Sequence, residues 1–206
     1  MIKNLLFDLG GVIMDIDKNR CIKAFDELGL KNASSYFGEY SQQGPFMALE
    51  RGDIDAAEFH RVLRGGFDVP VTDGEIDRAF CRFLIGIPVR RLRELEELRA
   101  KYKVYMLSNT NPIMWAATIR DEFMKDGRCR EDYFDGIVTS FEANALKPEK
   151  AIFDHVVGQL GVKPEETLFF DDSQANLDAA AALGFKTQLV APGTEFFDTI
   201  KKLGLI

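Results

Sequence analysis

The chain has 206 residues, 46% of them hydrophobic and 29% charged, and carries a formal net charge of −7. That balance belongs to a globular protein long enough to bury a core, as one domain or a domain with a modest insertion. The excess of acid argues against a nucleic-acid backbone as partner, because phosphate backbones are bound by clustered Lys and Arg; a small anionic ligand at one locally positive site remains open.

No run approaches the ~20 apolar residues of a membrane span, and the apolar stretch at the start is too short for a signal peptide. Cys21, Cys81 and Cys129 show no metal-binding spacing and read as free thiols of a reducing cytoplasm. A cytoplasmic monomer without membrane or nucleic-acid partners is the expectation.

In chain order, the first apolar run covers residues 3–8 and stops at a carboxylate, Asp8, with Gly10 and Gly11 directly behind it. Residues 17–88 contain no convincing buried strand and read as amphipathic helices over about 18–28, 33–48, 55–64 and 73–84, broken at Gly29, Gly52, the Gly65-Gly66 pair and Pro70. A helix follows over 89–101 with Leu92, Leu95 and Leu98 on one stripe. A strand at 103–107 then runs into Ser108-Asn109-Thr110, and another covers 136–140. Lys147 precedes a helix over 148–160, opened by Pro148 and closed by Gly161. A strand at 167–170 runs into Asp171-Asp172. A helix over 174–183 ends at Gly184, and a last strand covers 186–190.

Strand runs that are apolar on both faces and alternate with helices predict an α/β fold, a doubly wound parallel sheet. Residues 1–16 and 89–206 would form this core. Residues 17–88 would be an all-helical insertion above the carboxyl ends of the strands, where open sheets bind ligands.

In such a sheet the four polar clusters meet at one edge. Asp8 and Asp172 can hold Mg²⁺ between them, since Mg²⁺ favours one or two carboxylates together with water and substrate oxygens. Two adjacent acids behind a buried Leu-Phe-Phe run would also repel without a cation. Asp8 can attack phosphorus as a carboxylate nucleophile, Ser108 and nearby N–H groups can bind a phosphoryl oxygen, and Lys147 can neutralise transition-state charge. Asn176 is a candidate partner of the acids. Arg51 and Arg82 are candidate substrate contacts, while Arg90, Arg91 and Arg93 read as a solvated helix face and His60 and His155 as structural.

The strings FDLGGV, LSNT, KPEKAIF and FFDDSQANLDAA, in this order and each at a strand tip, resemble the four motifs of the haloacid dehalogenase superfamily over essentially the whole chain. The resemblance implies a Rossmann-like core with a type-1 helical cap at 17–88. It further implies Mg²⁺ on Asp8, Asp172 and the Gly10 carbonyl, with Asp171 supporting the metal through water and Ser108, Asn109 and Lys147 on the phosphate. FDLGGVIMDID and ERGDI are most similar to phosphatases of hexose 1-phosphates, so a small phosphorylated metabolite is the expected substrate.

One position departs from the family. Most phosphatases of this superfamily carry a second Asp two residues after the nucleophile, where this chain has Gly10. General acid–base help is worth about 10²–10⁴ in rate. An anomeric phosphate, with its better leaving group, would depend on it less. Asp15 and Asp17 are candidate replacements. The competing readings are a metal-free 2-haloacid dehalogenase, whose Asp8 would attack carbon, and a weakly catalytic module that binds a metabolite or partner.

Overall fold

The computed structural model describes residues 1–38 and 42–206. Five parallel strands form the central sheet: β1 (Asn4–Phe7), β4 (Lys103–Ser108), β5 (Gly136–Thr139), β6 (Thr167–Asp171) and β7 (Lys186–Leu189), in the order β5-β4-β1-β6-β7. The chain leaves β1 toward β4 and β5, then crosses back to β6 and β7. The topological switch therefore lies at β1, between β4 and β6. Phe7 is in register with Met106 on one side and Phe170 on the other, so residue 8 emerges between the tips of both neighbours.

The alternation along β1 explains how the sheet is covered. Leu5 and Phe7 enter a large apolar cluster on one face, with Leu92, Leu95, Phe170 and Phe196, while Leu6 enters a second cluster with Phe153, Phe169 and Leu177. Both faces are apolar because helices cover both. The helix α5 (Val89–Arg99) puts its leucine stripe into the first cluster, and the helices Lys150–Leu160 and Gln174–Ala182 supply the second.

Between β1 and α5 the chain forms β2 (Asp15–Ile16), α1 (Lys18–Leu28), a 3-10 turn at Ala33–Tyr36, α2 (Gly44–Arg51), α3 (Ala56–Arg64), α4 (Asp73–Cys81) and β3 (Leu84–Gly86). The helices are joined through rings: Phe46 sits 5.4 Å from Phe25, 5.1 Å from Phe59 and 4.9 Å from Phe80, centroid to centroid. Such contacts favour edge-to-face geometry, and all three pairs adopt it, with interplanar angles of 84°, 82° and 85°.

Two expectations change here. The helix expected over 33–48 is broken: a 3-10 turn ends at Tyr36, and α2 starts afresh at Gly44, whose φ of 57° only glycine adopts readily, with Pro45 in the first turn. Positions 39–41 of that expected helix lie outside the described residues. The helix expected to reach 84 stops at Cys81 instead, because β3 pairs antiparallel with β2 (Asp15↔Gly86) and Asp17 N–H bonds the Phe83 carbonyl. This two-stranded hinge encloses both ends of the helical segment and was too short to show in sequence periodicity. The segments Pro112–Met114, Trp115–Ile119 and Arg120–Phe123 also form helical turns that the periodicity did not reveal.

Arg91 is likewise not on a solvated face. It is only 7% exposed. Its guanidinium donates to Asp15 Oδ1 (2.7 Å), the Ile13 carbonyl (3.1 Å) and Glu195 Oε2 (2.8 Å), so it ties the loop after β1 to α5 and to the C-terminal helix. Arg90 and Arg93 do remain exposed.

Candidate active site

Asp8 is held at the tip of β1 by its own backbone. Its N–H bonds the Phe170 carbonyl at 2.9 Å, and the Leu9 N–H donates to Asp8 Oδ1 at 2.6 Å. The chain then turns at once: Ile13 and Met14 N–H both return to the Leu9 carbonyl. Gly11 has φ 78°, and a Cβ there would lie 2.1 Å from Asp172 Oδ2. Glycine at 11 is thus required twice, once by the backbone and once by the approach of the Asp172 carboxylate.

Lys147 lies between two acids. Its Nζ is 2.8 Å from Asp8 Oδ1 and 2.8 Å from Asp171 Oδ2, with the Leu107 carbonyl at 3.4 Å. The loop that delivers it is clasped by Asn109, whose side-chain oxygen accepts from Lys147 N–H (2.9 Å) and whose amide donates to the Lys147 carbonyl (3.1 Å). Burial works against the ammonium, but Asp171 and Asp8 outweigh it and hold its pKa above the usual lysine value.

Asp171 is fully buried, and both its oxygens are occupied. Oδ1 accepts from Ser173 N–H (2.8 Å) and Asn176 Nδ2 (2.9 Å), and Oδ2 takes Lys147. Asn176 therefore partners the acids as the sequence led one to expect. Asp172 turns instead into a cavity of about 360 Å³ that it shares with Asp8, Gly10, Asn109, Lys147 and Asn176. Ser108 ends β4, almost fully buried, and its hydroxyl reaches the Asn109 carbonyl at 3.4 Å.

The electrostatics call for a cation. Asp8, Asp171 and Asp172 each offer an oxygen, all within 4.8 Å of one another. Three carboxylates against one ammonium leave two negative charges uncompensated. Burial raises the Asp8 pKa, Lys147 opposes it, and the charges of Asp171 and Asp172 push it higher. Burial and then Asp171 raise Asp172 in the same sense. A divalent cation between Asp8 and Asp172 would relieve this repulsion, and the missing Cβ at Gly11 is what lets Asp172 come that close.

Of the other candidates only Asp17 reaches the cavity. Asp15 is paired with Arg91, and Asp17 caps α1 through Asn19 N–H while lining the cavity. Arg51 makes a two-pronged ion pair with Glu149 (2.8 and 2.5 Å) and does not line the cavity; Arg82 ends α4 away from it. His60 bonds Asp77 at 2.7 Å inside the helical segment. Sequence reasoning missed Lys18, Phe37, Gln42 and Glu50, which all line the cavity. The ERGDI string marked the neighbourhood of Glu50 without showing which way it faces.

A family model described as haloacid dehalogenase-like hydrolase matches residues 2–184. The D-ribitol-5-phosphate phosphatase of Bacteroides thetaiotaomicron is 38% identical over 187 residues, 91% of each chain. The crystal structure of a HAD family enzyme from the same organism, in complex with magnesium and inorganic phosphate, superposes with a TM-score of 0.89 at 40% identity, covering 95% of this chain and 98% of that one. The L-2-haloacid dehalogenase of Xanthobacter autotrophicus shares the fold, with a TM-score of 0.64 at 22% identity over 99% of this chain and 83% of that one. The chain belongs to the haloacid dehalogenase-like hydrolases. Its central parallel sheet with helices on both faces is the Rossmann-like core of that family.

Proposed function

We propose that the protein is a Mg²⁺-dependent phosphatase of a small phosphorylated sugar or polyol, working through an aspartyl-phosphate on Asp8. The observation that carries this is the convergence of Asp8, Asp171 and Asp172 within 4.8 Å around the buried Lys147, on a cavity large enough for a small metabolite. Asp8, Asp172 and the Gly10 carbonyl would hold Mg²⁺, with Asp171 in support through water. When bound, the ion neutralises charge on the phosphoryl oxygens and on the attacking carboxylate.

The chain's own groups do the rest. Asp8 attacks phosphorus in line with the leaving oxygen. Lys147 balances the charge that develops, and Asp171 and Asn109 hold it there. Ser108 and the N–H groups at the β4 tip hold a phosphoryl oxygen. Residues 17–88 serve as a cap whose closure keeps bulk water from the acyl-phosphate.

Between an anomeric phosphate such as a hexose 1-phosphate and a primary ester such as ribitol 5-phosphate, similarity to the ribitol-5-phosphate enzyme favours the primary ester. The paired acids at 171 and 172 favour phosphatase over dehalogenase, which needs no metal. The test is turnover of 4-nitrophenyl phosphate with Mg²⁺, then of ribitol 5-phosphate against glucose 1-phosphate. Asp8→Asn is expected to abolish all three, as is chelation of Mg²⁺. Undiminished turnover by Asp8→Asn would overturn the reading.

A further inference from the structure

A primary ester sharpens the problem at Gly10, because a poor leaving group needs a proton that this position does not supply. We propose that Glu50, from α2 of the helical segment, donates that proton and afterwards activates the attacking water; the proposal rests on the phosphatase reading above.

Four observations converge on Glu50. It lines the same cavity as Asp8, Lys147 and Asp172, yet comes from a different part of the chain. Its backbone is fastened to the strand tips: Ser140 Oγ donates to the Glu50 carbonyl at 2.6 Å, and the same hydroxyl accepts from Thr110 N–H at 3.0 Å. The next two residues complete the seat. Arg51 grips Glu149, and Gly52, at φ 80°, packs so tightly that a Cβ would lie 2.3 Å from the Phe141 carbonyl. Such a seat gives an acid the fixed position that proton transfer demands.

The environment also keeps the proton on. Burial pushes the Glu50 carboxyl up to about 8, and a hydrogen bond with Gln42 only partly opposes it. The charged groups sharing its cavity are Asp8, Asp17, Lys18, Lys147 and Asp172. Of the two cations, Lys147 is engaged by Asp8 and Asp171, and Lys18 donates to the Gly38 carbonyl. Among the described residues Glu50 forms no ion pair. Finally, the other acids near the loop are occupied, Asp15 by Arg91 and Asp17 by the N-terminus of α1.

The chemistry balances. As Asp8 Oδ bonds to phosphorus and the ester P–O bond breaks, the Glu50 proton passes to the departing oxygen, which leaves as the neutral alcohol. The Glu50 carboxylate then takes a proton from water while the water oxygen bonds to phosphorus and the Asp8–phosphorus bond breaks. Inorganic phosphate leaves and Glu50 is again protonated.

The experiment compares leaving groups in the full chain with Mg²⁺. Glu50→Gln keeps the shape and the Gln42 contact but has no acidic proton. Its kcat on ribitol 5-phosphate is expected to fall by about 10²–10⁴, the usual size of general acid–base help. Formation of the phospho-enzyme from 4-nitrophenyl phosphate, whose leaving group needs no proton, is expected to change by about tenfold or less in a rapid-quench burst. That burst also reports that the variant is folded. Adding Gly10→Asp to Glu50→Gln is expected to restore alkyl turnover, since a Cβ at Gly10 meets only Ile16, at 3.5 and 3.6 Å. Should Glu50→Gln not fold, Glu50→Asp, which retains a proton, is expected to keep ribitol 5-phosphate turnover well above that of Glu50→Ala.

Equal losses in the rate of phospho-enzyme formation from both esters would overturn the proposal in favour of a structural role, and an unchanged alkyl rate would overturn it outright. Failure of the wild type on every ester would overturn the phosphatase reading itself, which Asp8→Asn and Mg²⁺ chelation diagnose separately.

Discussion

The two walls of the cavity are built on opposite principles. The strand-tip wall packs Asp8, Asp171 and Lys147 into near-complete burial and fixes each with short, charge-assisted hydrogen bonds to a neighbour or to backbone. The helical wall is an aromatic cluster centred on Phe46, which brings Glu50 and Gln42 to the cavity. One wall concentrates negative charge that a cation would relieve; the other uses apolar packing to place a buried acid. Stability of the helical wall should therefore be insensitive to added Mg²⁺, and that of the strand-tip wall strongly sensitive to it.

The largest expected effect sets the walls against each other. Lys147→Met leaves Asp8 and Asp171 buried without their ammonium and should cost ~3–5 kcal/mol of stability in metal-free buffer. Part of that loss should return with Mg²⁺, as read by thermal melts. Phe46→Ala should cost a similar ~3–5 kcal/mol through lost burial and a cavity, with no recovery on adding Mg²⁺. Equal Mg²⁺ responses from the two variants would break the contrast.

Gly11→Ala comes next. Its Cβ must displace the Asp172 carboxylate, and misplacement of a catalytic group by about 1 Å costs ~10²-fold in rate. Reduced kcat and a weaker Mg²⁺ requirement constant in titrations would mark the geometry; a wild-type rate would show that Asp172 tolerates the shift.

A smaller, pH-dependent effect belongs to Glu50. Its folded pKa, about 8, lies above the unfolded value, 4.5. The folded state therefore holds the proton longer. The stability linked to it is complete below about pH 4.5 and is lost as pH rises through about 8. Gln at 50 escapes that loss. Glu50→Gln should melt higher than wild type at pH 8, with the advantage vanishing near pH 4.5; a constant difference across the range would remove the buried-acid assignment.

The smallest effect is at Arg51. Its ion pair with Glu149 is more than a quarter exposed on both sides, so Arg51→Ala should cost only ~0.2–1 kcal/mol. A much larger loss in melts would mean that the helical wall leans on charge after all.

Most of the strand-tip wall was legible in the chain alone. Asp8, Asp171 and Asp172 sit where an apolar run ends and Lys147 in the loop that follows another, and a parallel sheet brings such ends to one edge. The central strands β1 and β6 appeared as short runs apolar on both faces, because both faces are covered, whereas β7 at the sheet edge is largely polar and has no buried residue. The helical wall was far less legible. The amphipathic stripes of α1 and α3 marked helices, but the periodicity ran on through Tyr36 and past Cys81, where a left-handed glycine and a two-stranded pairing overrule local propensity. Arg91 looked like one of three solvated arginines; only the approach of Asp15 and Glu195 from distant positions explains its burial.

What the sequence by itself determined is the order of chemical groups along the sheet edge, since strand length and hydrophobic period are local properties. What the tertiary structure alone decided is partnership: that Asp15 answers to Arg91, that Asn109 clasps the Lys147 loop, and that Glu50 faces the cavity while Arg51 beside it turns to Glu149. Neighbours on a helix diverge by about 100°, so one-residue differences in facing come from what each helix packs against, and that is settled only when the whole chain has folded.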